Sequence, residues 1–101
     1  MAERSEILGL ILATAGEFND ELEVRIAVEE GEAAHLFGAE GVLDSLALVS
    51  FLTALEQNIE DRLDISLTLA DEKAMSRHRS PFKTVGSLLS YVLALMEEAG
   101  G

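Results

Sequence analysis

The chain has 101 residues, which suits a single domain with a modest core, and 49% of them are hydrophobic, too many for a disordered tail. Its formal net charge of −12 disfavours nucleic acid and anionic membranes as partners and favours basic protein patches. The absence of cysteine excludes a disulfide frame, a thiolate metal site and a thiol nucleophile, a composition compatible with a reducing cytosol.

The charge is unevenly spread. Residues 1–64 carry 15 acidic and 3 basic side chains, whereas residues 65–101 carry 4 of each. One proline and no long Gly/Ser tract leave no linker, so residues 1–101 read as one domain. The early run ILGLILATA (7–15) ends like a signal-peptide cleavage site. It is preceded by Glu3, Arg4 and Glu6 rather than a positive flank, and it is too short to span a bilayer. It reads as a buried helix face in a cytoplasmic protein.

Apolar spacing predicts a first helix from about Glu3 to Asp20, through Ile7, Leu8, Leu10, Ile11, Leu12 and Phe18. That helix either runs on through ELEVRIAV or gives way to an extended stretch, since Leu22, Val24, Ile26 and Val28 alternate. EEGEAAHLFGAEG (29–41) reads as a long loop, pinned to the core by Leu36 and Phe37. A second helix starts at Asp44 or Ser45 and continues to about Leu63. Leu48, Leu52, Leu55 and Ile59 share one stripe, flanked by Phe51 and Val49, while Ser50, Thr53, Gln57, Glu60 and Asp61 lie opposite. Leu46 is the misfit, projecting among the polar positions. DISLTL (64–69) reads as short and extended, ADEKAMS (70–76) as one or two helical turns, and SRHRSPF (76–82) as a break ending at Pro81. Thr84 reads as the N-cap of a last helix carrying Val85, Leu88, Leu89, Val92 and Leu95, with a frayed EEAGG end. The expected fold is an all-α bundle: three main helices, one short helix and a long loop between the first and second.

Asp44 and Ser45 stand at the mouth of an apolar run, GVLDSLALVSFL (41–52), and admit two readings. Both are good residues for starting a helix, and a serine at a helix N-terminus can also carry a phosphate. A capping box is missing, because Ala47 and Leu48 occupy the partner positions. A hydrolytic serine has little support. The only imidazoles are His35 and His78, and no nucleophile-elbow glycines flank Ser45. Metal-ligand spacings and phosphate-loop glycines are absent as well. No active site of the chain's own is expected.

The order of features resembles the acyl carrier protein family. The matching runs are LFGAEGVLDSLALVSFLTALEQ (36–57) and KTVGSLLSYV (83–92), with Asp44, Ser45 and Leu46 the specific part. The resemblance implies an acyl-carrier-protein-like four-helix bundle, a monomer, in which Ser45 is the attachment point for 4′-phosphopantetheine and Asp44 caps or positions that site. It implies a phosphopantetheinyl transferase as the modifying enzyme, taking the arm from coenzyme A. Acyl-loading and acyl-processing enzymes with basic patches would then dock on a face holding Leu46, Ser50, Thr53, Glu56 and Glu60. The chain itself would not be an enzyme. The form G-V-L-D-S-L is closer to D-alanyl and other specialised carriers than to the housekeeping fatty-acid carrier, and Lys73, Arg77, His78, Arg79 and Lys83 make a basic patch where many carriers are acidic. The alternative is an unmodified helical adaptor that binds proteins through the acidic second helix.

Overall fold

In a computed structural model, residues 4–20, 25–37, 41–69 and 82–100 are described, with backbone alone for positions 45, 99 and 100. Helix α1 spans Arg4–Asn19, and its buried positions are Ile7, Leu10, Ile11, Thr14, Ala15 and Asn19. That is a continuous helical stripe, with Phe18 half-buried beside it, and it contains two polar residues. Both polar residues are satisfied. The Thr14 hydroxyl donates to Leu10 O at 2.8 Å and accepts from Asn58 Nδ2 at 2.7 Å. Asn19 Nδ2 donates to Ile26 O at 3.0 Å, and its Oδ1 accepts the Ile26 N–H at 2.7 Å.

Helix α1 therefore stops at Asn19 and does not run on into ELEVRIAV, of which residues 21–24 lie outside the described set. The amide of Asn19 stands in for the backbone partner that Ile26 would find in a helix or a sheet. Beyond it the expected plain loop holds a 3-10 helix, Val28–Ala33, kinked at Gly31. Gly31 has φ 61° and ψ −126°, a conformation side chains resist. The short helix expected at 70–76 lies outside the described residues; among those described, the short helix is this one, inside the first connection.

Helix α2 spans Ser45–Leu63 and helix α3 spans Val85–Gly100. The expected stripe on α2 is wholly buried at Leu48, Leu52, Leu55 and Ile59, together with Phe51. On α3, Val85, Leu88, Leu89 and Val92 are buried. Thr84 caps α3 in a reciprocal pair with Ser87. The Ser87 N–H donates to Thr84 Oγ1 at 3.1 Å, and the Thr84 N–H donates to Ser87 Oγ at 3.0 Å. This is a capping box with serine at the third helical position. The helix continues through Gly100, into the EEAGG stretch where a frayed end is expected from the sequence.

Helix α1 packs against both α2 and α3, and the 3-10 helix lies on α1 and α3. An edge-on ring contact, Phe18 to Phe51 at 5.5 Å between centroids, joins α1 to α2. Leu36 is buried and Phe37 half-buried, as expected of residues that pin the loop. The described residues thus form an all-α protein with three main helices, a short 3-10 helix and a long first connection.

Candidate functional site

The start of α2 is held in place from both directions along the chain. The Leu36 N–H donates to Lys83 O at 2.7 Å, and the Val85 N–H donates to Ala34 O at 2.9 Å, an antiparallel bridge pairing His35 with Thr84. The Leu43 N–H donates to Leu36 O at 2.8 Å, in a parallel bridge of Phe37 with Leu43. Residues 34–37 therefore fasten the N-termini of α2 and α3 to each other. Gly41 is required here, since a Cβ at that position would lie 2.5 Å from the Phe37 backbone.

Asp44 follows in an extended conformation (φ −84°, ψ 179°), and its carboxylate accepts the Ala47 N–H at 2.8 Å. The first turn of the helix closes from the Leu48 N–H to Asp44 O at 2.8 Å. Asp44 is thus the N-cap and Ser45 the first helical residue. Buried Leu43 and Leu48 bracket the pair, while Asp44 itself is exposed. A group on the Ser45 position would meet the positive end of a 19-residue helix.

Leu46 is 81% exposed and Val49 41%, the two large exposed apolar side chains among the described residues. Ser50, Thr53 and Glu60 are exposed on the same side of α2, and Thr53 returns its hydroxyl to Val49 O at 2.9 Å. Glu56 differs from these. It is half-buried at the edge of that face, and its Oε2 accepts the Leu69 N–H at 2.7 Å. Residues 45–55 contain no charged side chain, so the part of α2 nearest Ser45 is a neutral island on a strongly acidic chain.

His35 is exposed, and its backbone faces Thr84. His78 and the basic positions 73, 77 and 79 lie outside the described residues, and Lys83 is exposed. Among the described residues no group of three or more His, Asp or Glu side chains could hold a metal ion. Nor is any helix among them long and apolar enough to cross a membrane.

Sequence reasoning placed the cap, the serine and the exposed leucine but missed the inward tasks of Asn19, Asn58 and Glu56. For Asn19 a signal was present: it sits on the 7, 10, 11, 14, 15, 18 register, where a polar residue must find a partner. Glu56 carried none, because its partner is a backbone amide 13 residues away. Fold and site together define a small helical protein that presents a capped, exposed helix start. Comparison with protein-family models, with curated proteins and with solved structures found no match.

Proposed function

We propose that this chain is an acyl carrier protein, modified at Ser45 by 4′-phosphopantetheine and without catalytic activity of its own. The observation that carries the reading is the G-V-L-D-S-L sequence at the start of α2, with Asp44 as cap, Ser45 as first helical residue and Leu46 exposed. Free N–H groups and the helix dipole at that end favour a phosphodiester. Asp44 engages only the Ala47 N–H by hydrogen bond among the described residues, so the cap leaves the rest of the first turn to a ligand.

When bound, the cofactor would supply a thiol on a long arm, which explains how a chain without cysteine could carry acyl or aminoacyl thioesters in fatty-acid, lipid or secondary-metabolite synthesis. The chain's own residues would hold the anchor point and display a recognition face. Leu46, Ser50, Thr53 and Glu60 are open to a partner, and a basic patch on a loading or processing enzyme would meet a net charge of −12. The phosphopantetheinyl transferase would read the same helix start.

A second reading, an unmodified adaptor, draws support from Leu46 and Val49, since an exposed apolar pair serves protein binding without any modification. One experiment separates the two. Intact-protein mass is measured after incubation with coenzyme A, magnesium and a broad-specificity phosphopantetheinyl transferase, with Ser45→Ala as control. The carrier reading expects a gain of one phosphopantetheine that the variant loses. A folded protein that gains nothing with several transferases leaves the adaptor.

A further inference from the structure

The chain leaves α2 through a short extended segment, residues 64–69. Asp64 turns it in the left-handed region (φ 55°, ψ 38°), its N–H donating to Glu60 O at 3.0 Å. Burial then alternates: Ile65 and Leu67 are half-buried, Ser66 and Thr68 exposed, and Leu69 is fully buried in the core. No strand pairs with this segment among the described residues. The hydrogen bond that fastens positions 65–69 to another described residue is the one from the Leu69 N–H to Glu56 Oε2.

That bond has a clear physical role. An extended segment without a neighbouring strand must satisfy its backbone amides elsewhere, and the amide of its innermost residue is the one least able to use water. A carboxylate is the strongest acceptor available for it. Glu56 reaches the amide from the fourth turn of α2, so the side chain spans the gap between the helix and the returning segment.

We infer that the Glu56 carboxylate is a latch, holding the segment 64–69 closed over the core at Leu69. The segment opens locally, with α1, α2 and α3 intact, when that acceptor is removed. Of Glu56 and Glu60, the two carboxylates expected on the docking face, Glu60 is presented to solvent, while Glu56 is a positioning residue whose Oε2 is engaged by the Leu69 N–H. The inference does not depend on what Ser45 carries.

The test is amide hydrogen exchange, resolved by residue, in the native protein, Glu56→Ala and Glu60→Ala across low urea concentrations. In the native protein the Leu69 amide is expected to exchange by a small opening that urea hardly promotes, whereas Leu52 and Leu88 follow global unfolding. Glu56→Ala is expected to speed exchange at Leu69 by roughly 10- to 100-fold, the loss expected for a hydrogen bond to a charged group, with the weak urea dependence retained. Glu60→Ala should leave Leu69 unchanged. Unaltered exchange at Leu69 in Glu56→Ala overturns the latch, and so does a native Leu69 amide with the same urea dependence as Leu52. If Glu56→Ala does not fold, the native protein still decides, by whether urea promotes exchange at Leu69 as strongly as at Leu52.

Discussion

At position 19 the buried stripe of α1 ends in an amide that closes a ring of two hydrogen bonds with Ile26. Ile26 is itself buried, so neither its N–H nor its carbonyl has ready access to water. Asn19→Ala removes both partners at once and leaves two unsatisfied groups, at about 1–3 kcal/mol each. We expect that variant to lose at least about 2 kcal/mol in urea unfolding, a large share of a total near 5–15 kcal/mol. Asn19→Ser on the same scale should fall short of rescue, because a hydroxyl is too short to reach both groups. A loss under about 0.5 kcal/mol would show that the ring contributes nothing beyond what water supplies.

At the scale of the element, α1 combines a well-packed inner face with two weak points on its outer face. Gly9 and Gly16 are exposed, and an added Cβ at either would meet nothing within 4 Å. Glycine in a helix interior costs roughly 0.5–1 kcal/mol relative to alanine, mainly through chain entropy. Gly9→Ala with Gly16→Ala should therefore stabilise the protein by about 1–2 kcal/mol together, since the sites share no partner. A thermal midpoint rise of roughly 4–8 °C per kcal/mol would register this in a domain of such length. A fall would mean that α1 needs the two glycines for a contact beyond the described residues. Helix α3 is different: its start is secured by Thr84 and Ser87 reciprocally and by the Ala34 carbonyl, so its N-terminus belongs to the first loop as much as to the helix.

For the whole molecule, charge is the dominant long-range term. Between described residues the one ion pair is Arg4 with Glu32, both largely exposed, and such pairs are worth about 0–1 kcal/mol. Against it stands the mutual repulsion of a chain with net charge −12, all of that net within residues 1–64. Raising ionic strength shortens the screening length from about 30 Å at 0.01 M to about 8 Å at 0.15 M, which relieves many repulsions and weakens the Arg4–Glu32 attraction. Sodium chloride should therefore raise the thermal midpoint at neutral pH. A midpoint that falls with salt would show that attractive pairs outweigh repulsion in the folded chain.

Read alone, the amino-acid sequence determined the three main helices, the buried stripe of α2 and its start at Asp44 or Ser45, the N-cap at Thr84 and the exposure of Leu46. Each of these is written in neighbours three or four residues apart, where helix geometry converts spacing directly into a face. Tertiary structure alone decided the end of α1 at Asn19, the 3-10 helix at Val28–Ala33, the bridges that tie residues 34–37 to the starts of α2 and α3, and the engagement of Glu56 by Leu69. The 3-10 helix closes on carbonyls three residues back, but the other three depend on a side chain or carbonyl meeting a backbone group that chain order does not place beside it. Local spacing is silent about such meetings, because a polar residue shows the same periodicity whether it faces water or a buried amide.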